Sequence, residues 1–183
     1  MNGEPLLFFC KDTGRFPNSH LPVILYKEAI SLPLLFRSLH IKKVFTRHQW
    51  TGARSGGVLT YPYYHSTTHK VLGFFEGSTT LQLGGDMGHK VRVAKGDVLI
   101  IPAGVAHRNL GTEFQVKCVS AYPNGGVCDL NTGKPGERPA SDCNIAALPL
   151  PAQDPLLGYL DGLIQMWTLD PVTGRPLFIS SVL

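Results

Sequence analysis

Residues 96–107 read GDVLIIPAGVAH and combine two turn signals with a short apolar run that leads to a histidine. Gly96 and the segment 102–104 (PAG) indicate turns, because glycine tolerates positive φ and proline fixes φ in advance. The apolar residues between these turns predict a short buried strand. We therefore expect His107 just beyond a turn at the end of a strand.

Short apolar runs and frequent turn residues continue through residues 58–122. The chain has 20 glycines and 14 prolines among 183 residues, and only 16% of its residues are charged. Such a chain has little room for long helices and favours short strands joined by turns. In the run that begins at Val58, Leu59, Tyr61, Tyr63 and His65 share one parity, which predicts a strand. The fold class that follows is mainly β, an antiparallel sandwich or jelly roll.

The flanks of this region predict one domain in three parts. Residues 1–57 form an N-terminal arm of two short strands and a helix over 32–47, packed on the barrel. That helix follows from apolar residues at helical spacing, namely Leu34, Leu35, Leu39, Ile41 and Phe45. Residues 58–122 form the barrel core, and residues 123–183 form a proline-rich tail that ends in a strand or helix near 163–167.

Charge and cysteine content exclude several classes of protein. The formal net charge is +4, and the basic residues are scattered, which disfavours a nucleic-acid-binding surface. None of the four cysteines stands in a C-x-x-C pair, so we expect reduced thiols and a cytoplasmic protein. No apolar stretch approaches the length of a membrane span, so we expect no membrane partner.

Histidines are the reactive residues that the chain concentrates. Three of them matter, His65, His69 and His107. His65 ends one predicted strand and His107 follows the turn that ends another, and side chains of neighbouring strands can converge there on a metal ion. Neutral imidazole suits zinc, iron, copper or nickel. The spacing alone leaves the alternative of surface or hydrogen-bonded histidines open.

Two segments of the chain resemble the motifs of the cupin superfamily. Residues 96–107 match the second motif, G-x5-P-x-G-x2-H, at Gly96, Pro102, Gly104 and His107. Residues 63–77 are similar to the first motif, H-x-H, three or four residues, E, six residues, G, and end it at Gly77.

The likeness extends to uncharacterised single-domain cupins whose first motif reads H-Y-H-S-T-x-H-E. Their arm and tail patterns appear here as PN (17–18), HLPV (20–23), GERP (136–139), NIA (144–146), PLP (149–151) and DP (154–155). The resemblance implies a double-stranded β-helix with a small-molecule pocket inside one end of the barrel. It also implies a homodimer, because partner subunits often cover the sheet edges of cupins.

The departures from the family lie at its metal ligands. Cupins of this kind hold a divalent metal with three ligands from the first motif and one from the second, which correspond here to Tyr63, His65, Lys70 and His107. Only the two histidines remain, and a protonated lysine repels a dication. Tyr61, Tyr63, Lys70, Leu72 and Phe74 are the expected lining of the pocket.

Three interpretations stay open at this point. The metal is lost and the pocket binds an organic molecule or nothing, or else a divalent or iron ion is held by His65, His107 and either Tyr63 or His69. In the third, Lys70 is a base or an imine-forming amine, unless it extends to solvent or pairs with Glu76 or Asp97. The function is accordingly a small-molecule-binding cupin with an altered metal site, or a metal-dependent oxygenase or isomerase acting on a small polar metabolite.

Overall fold

A computed structural model describes residues 4–159 and 161–168, and this part of the chain is mainly antiparallel β-structure. Its strands are β1 (Leu6–Cys10), β2 (Ser19–Tyr26), β3 (Trp50–Gly56), β4 (Lys70–Leu83), β5 (His89–Ala94), β6 (Val98–Ile101), β7 (His107–Asn109) and β8 (Val116–Pro123). Its helices are α1 (Arg37–Arg47), α2 (Ala140–Ala147) and α3 (Leu163–Thr168), with a 3-10 turn at Glu113–Gln115. The mainly β fold class predicted from turn density is confirmed.

The strands form a sheet in the order β1-β2-β6-β4-β8-β3, and β5 and β7 both pair with β4. Strand β4 is 14 residues long and changes partners along its length. Its first half pairs with β6 and β8, and its second half pairs with β5 and β7. A long strand shared in this way lets the sheet curve into a jelly-roll barrel. Residues 1–57 contribute β1, β2 and β3 to the sheet itself, in addition to α1.

Alternation along β4 separates two apolar cores. Leu72 and Phe74 point into the barrel, whereas Val71 lies in the outer core between the sheet and helices α1 and α3. Gly73 lies between Leu72 and Phe74, and a Cβ atom added to it would stand 2.7 Å from Ile41 and 2.8 Å from Phe45. Glycine at this position therefore lets α1 pack directly on the sheet.

Of the motif glycines, Gly96 and Gly104 lie in turns after β5 and β6, whereas Gly77 lies within β4, just after a shift in its register against β8. Gly77, Gly96 and Gly104 have φ of 73°, 94° and 89°, a region that favours glycine. Pro102 follows directly after β6. The amide of Gly104 donates to the carbonyl of His65 over 2.8 Å, so the second motif supports the backbone of the first.

Helix α1 is shorter than the helix predicted over 32–47. It begins at Arg37, after Phe36 adopts a left-handed φ of 57°. Leu34 and Leu35 are 83% and 67% exposed and lie outside the helix, because the sheet offers them no apolar surface. Ile41 and Phe45 pack on the sheet as expected, and Leu39 is half-exposed.

Two further expectations about local structure were wrong. Residues 59–65 form no strand and make only isolated bridges at Tyr63 and Tyr64, since Pro62 has no N–H for a ladder. Only two strands were expected in residues 1–57, but residues 50–56 form a third strand, β3. The register of β3 against β8 shifts between Thr51 and Arg54, and Gly52 has a φ of 66°, so glycine here belongs to an irregularity within a strand.

The tail is held to the outer face of the barrel by its own helix and loops. Helix α3 lies where a strand or helix was expected near 163–167, whereas α2 was not anticipated from the sequence. The indole N–H of Trp50 donates to Gln153 O and that of Trp167 donates to Pro22 O, each over 2.9 Å. Residues 169–183 of the predicted tail lie outside the described residues.

No helix in the described part of the chain combines the length and the apolar character needed to cross a membrane.

Candidate functional site

The structure brings Tyr63, His65, Lys70 and His107 together inside one end of the barrel. Lys70 opens β4 with the same parity as Leu72 and Phe74, so its side chain points inward. His107 opens β7, and its backbone exchanges hydrogen bonds of 3.2 and 2.9 Å with that of Tyr63. The rings of Tyr63 and His107 are 4.2 Å apart, and those of His65 and His107 are 6.2 Å apart. We call these four residues the interior cluster.

The side chain of Lys70 is the centre of the interior cluster. Its Nζ donates to Tyr63 Oη over 2.8 Å and lies 3.4 Å from His107 Nε2. The side chain is buried, with 7% of the residue exposed. Within the described residues no carboxylate forms an ion pair with it. Glu76 and Asp97, the partners considered from the sequence, pair instead with Lys117 and Lys27, respectively. Lys70 is therefore a buried amine without an opposite charge.

Both histidines of the interior cluster are held by a hydrogen bond at Nδ1. The Nδ1 of His65 hydrogen-bonds to the carbonyl of Asp129, and the Nδ1 of His107 hydrogen-bonds to that of Val105 over 3.0 Å. A carbonyl accepts, so each Nδ1 carries the hydrogen and each Nε2 carries a lone pair. Within the described residues His65 Nε2 has no hydrogen-bond partner. The cluster thus contains one buried acceptor that a ligand could satisfy.

Sequence reasoning missed Asp129, which supports the loop of the first motif. Its carboxylate accepts hydrogen bonds from the amides of Ser66 and Thr67 over 2.7 and 3.3 Å, and from the side chain of Asn131 over 2.6 Å. Burial raises the pKa of Asp129, but hydrogen bonds led by that from Ser66 outweigh it and lower the pKa overall. Nothing in the sequence pairs Asp129 with a segment more than 60 residues away.

Burial shifts the pKa of every group in the interior cluster in the direction that favours the neutral form of that group. The pKa of His65 falls to about 4 through burial and then through the neighbouring Lys70. The same two causes hold the pKa of His107 well below its usual value. Burial lowers the pKa of Lys70 and raises that of Tyr63. The cluster therefore disfavours added positive charge in the absence of an anion.

The other predicted site residues lie around this cluster rather than in it. His69 sits on the outer face, where its Nδ1 accepts the amide hydrogen of Ala103 over 3.1 Å and its ring lies 4.9 Å from that of Trp167. Tyr61 is 47% exposed and touches Tyr63 edge-on at the mouth of the barrel, 6.3 Å between ring centroids. Leu72 and Phe74 lie in the apolar interior.

These side chains do not fit a metal ion. In the described part of the chain, no group of three or more histidine, cysteine, aspartate or glutamate side chains converges in a metal-binding arrangement. The interior cluster offers two imidazoles and a phenol, but the Lys70 amine already contacts one of these imidazoles and the phenol. A protonated amine would face a metal at close range, and the repulsion opposes binding. His69 points elsewhere and does not complete the set.

The buried histidines predict a loss of stability in mild acid. Burial lowers the pKa of His65 and of His69 from an ordinary 6.5 to about 4 in the folded chain, so the unfolded chain takes up protons first as the pH falls. Stability is therefore lost between about pH 6.5 and pH 4, by on the order of 3 kcal/mol for each histidine. Urea denaturation at pH 7.5 and pH 4.5 measures this, and His69→Gln should reduce the difference. Equal free energies of unfolding at the two pH values would contradict this prediction.

The described residues form a jelly-roll barrel with His65 and His107 inside one end, and the two segments that carry these histidines resemble the motifs of cupins. The chain is similar to the Uncharacterized protein YjlB of Bacillus subtilis (strain 168), with 36% identity over 168 residues, which are 91% of this chain and 99% of that protein. The chain belongs to the same family as that protein. No family model matches the chain.

Solved structures of other proteins show weaker likeness. Acireductone dioxygenase from Bacillus anthracis, with a cadmium ion in its active centre, aligns over 58% of this chain and 82% of its own, at 16% identity and a TM-score of 0.39. A DUF861 family protein from Thermotoga maritima aligns over 55% and 96%, at 20% identity and a TM-score of 0.33. Procruciferin from Brassica napus aligns over 44% of this chain at 22% identity and a TM-score of 0.35, and the match spans 21% of procruciferin.

Proposed function

We propose that the protein is a metal-independent cupin that binds a compact carboxylate inside the barrel, with the ammonium group of Lys70 in the place of a metal ion. The observation that carries this proposal is the position of Lys70 Nζ between Tyr63 Oη and His107 Nε2. An ammonium group there uses two of its three N–H groups on protein atoms. The third remains for a ligand.

Charge supports an anionic ligand. A buried ammonium without an opposite charge is costly, and a carboxylate beside it would form a charge-assisted hydrogen bond. A ligand hydroxyl could donate to His65 Nε2, the unpartnered acceptor of the same cluster. The ligand class that satisfies both groups is a small hydroxy acid. It must be compact, because all four side chains of the cluster are buried.

Thermal unfolding in the presence of acetate, glycolate or lactate tests this function. We expect glycolate and lactate to raise the Tm more than acetate, because only they carry the hydroxyl. Lys70→Met should abolish the shift, whereas Lys43→Met, an exposed change on α1, should leave it intact. If none of the three acids shifts the Tm of the wild-type chain, or if the folded Lys70→Met variant keeps the shift, the proposal fails.

The second candidate is a metal-dependent enzyme of oxygenase or isomerase type. It is favoured by the hydrogen bonds of His65 and His107, whose Nδ1 atoms are held by backbone carbonyls so that Nε2 carries the lone pair, as metal-ligating histidines are held. Elemental analysis of purified chain after metal supplementation separates the two candidates. The metal-independent binder should contain under about a tenth of an equivalent, and the enzyme about one equivalent that His65→Ala or His107→Ala removes.

Assembly and location stay predictions. A homodimer is supported by the open edges of the sheet at β1 and β3 and by the half-exposed Leu6, Leu7 and Phe9 on β1. A cytoplasmic location is supported by the cysteines, all of which are free thiols.

A further inference from the structure

A cavity lies outside the interior cluster, between the N-terminal arm, α2 and α3. Its volume is about 730 Å³, within the range of small-molecule sites. None of the four residues of the interior cluster lines it. Its wall is mainly apolar and includes Leu21, Ile145, Leu148, Leu150 and Trp167. A cavity of this size and character excludes a strongly polar ligand.

The charged groups at the rim neutralise one another. Asp12 and Asp142 both line the cavity, and each is held by Arg138, at 2.7 and 2.8 Å. Asp12 and Asp142 are therefore both paired with Arg138, and Lys11, the fourth charged side chain at this edge, is exposed. This arrangement gives a charged ligand no buried partner and favours a neutral one.

His69 and Asn18 are buried polar side chains of the wall, with 5% and 2% of the residue exposed, and the side chain of Asn18 is held by the backbone of Lys11, Gly84 and Ala106. Because the Nδ1 of His69 accepts from Ala103, its Nε2 carries the hydrogen, and within the described residues this N–H has no hydrogen bond of normal geometry. Burial lowers the pKa of His69, and the carbonyl of Pro149 partly offsets this. Pro149 lies between Leu148 and Leu150 of the wall, so an acceptor on a ligand would compete with its carbonyl for this N–H.

We propose that this cavity is a second binding site, which takes a neutral, largely apolar molecule with a carbonyl oxygen that accepts the Nε2–H hydrogen of His69. Trp167 fixes the position of the histidine ring, since its own indole N–H is tied to Pro22 and its ring lies against that of His69. The apolar walls bind the body of the ligand, and the buried donor selects for the carbonyl. This site does not depend on the function proposed for the interior cluster.

The test compares two probes that differ only in the acceptor, 2-acetylnaphthalene and 2-ethylnaphthalene. Binding is measured by quenching of tryptophan emission, for which Trp167 in the wall is a built-in donor. We expect the ketone to bind about threefold to tenfold more tightly than the hydrocarbon, and His69→Phe to remove that preference while both probes still bind. Equal affinities in the wild-type chain, or an unchanged preference in His69→Phe, would overturn the assignment of the donor.

Two neighbouring residues of α2 give a matched control for the cavity itself. Ala146 lines the cavity, whereas Ala147 is exposed and does not. Ala146→Trp should weaken both probes at least about tenfold by filling the site, and Ala147→Trp should leave their affinities unchanged. Absence of probe binding to the wild-type chain, or equal binding by the two tryptophan variants, would refute the site. The response to lactate, which reports on the interior cluster, should be the same in both variants.

Discussion

The double variant Tyr63→His, Lys70→Glu is expected to bind about one equivalent of Zn²⁺ or Ni²⁺, whereas the wild-type chain binds almost none. The change removes the buried amine that contacts His107 and supplies one further imidazole and one carboxylate. Together with His65 and His107, the interior cluster would then offer three nitrogen ligands and one oxygen ligand. That set suits either metal.

The stabilisation should be large because a metal binds the folded state and not the dispersed ligands of the unfolded chain. At a free metal concentration of about 100 times the dissociation constant, the gain is about 2.7 kcal/mol. The measurement is thermal unfolding with and without metal, together with elemental analysis after dialysis. Tyr63→His alone should gain little, because the amine of Lys70 remains at the centre of the cluster.

Lys43→Glu makes the same charge change on the exposed face of α1 and should leave metal binding as in the wild type. A folded double variant without any metal-dependent rise in Tm would show that Lys70 is not what keeps metal out. Near-stoichiometric metal in the wild-type chain would also contradict this prediction and would favour the metal-dependent enzyme.

The interior cluster could be predicted in part because strand periodicity and turn chemistry act locally. Gly96, Pro102 and Gly104 mark the turns around β6, and the parity of Lys70 with Leu72 and Phe74 places all three inside the barrel. Side chains alternate between the two faces of a strand, so a shift of one residue would move every side chain to the opposite face of the sheet. The same rule turns His69 to the outer face, next to Trp167.

The contacts that could not be predicted join segments far apart in the chain. Asp129 reaches Ser66 across more than 60 residues, and Trp167 reaches Pro22 across more than 140. Local pattern carries no information about such pairs. Strand β3 was missed for a different reason, because a register shift interrupts it and Gly52 within it adopts a positive φ. Leu34 and Leu35 fit the helical period, but tertiary packing gave them no partner.

Asp154→Ala is expected to release the tail and to lower the free energy of unfolding by about 3 kcal/mol or more. Asp154 is fully buried, and no lysine or arginine in the described residues pairs with it. Its carboxylate instead accepts four hydrogen bonds of 2.7 to 3.0 Å, from the hydroxyl of Tyr26 and from the amides of Leu156, Leu157 and Leu163.

One side chain therefore ties the barrel strand β2 to the loop before α3 and to the start of α3. Removing it leaves a buried hydroxyl and three amides without their acceptor, and each buried unsatisfied donor costs about 1–3 kcal/mol. The measured loss of stability will be smaller than the sum of these four costs, because the tail can open and expose the unsatisfied groups to water. The expected result is local opening at a lower free energy than global unfolding.

Hydrogen exchange resolves that opening residue by residue. In Asp154→Ala the amides of Leu156, Leu157 and Leu163 should exchange much faster, while those of β4 and β6, in the barrel, change less. Asp161→Ala is the matched control, because this carboxylate is exposed and, among residues 4–159 and 161–168, accepts one hydrogen bond, from the adjacent amide of Gly162. It should shift the free energy of unfolding by no more than about 0.5 kcal/mol. If both variants unfold alike, or if protection at Leu163 survives the loss of Asp154, then apolar packing of α3 and not this carboxylate holds the tail on the barrel. In that case the position of Trp167 in the wall of the cavity beside α2 and α3 would not depend on Asp154.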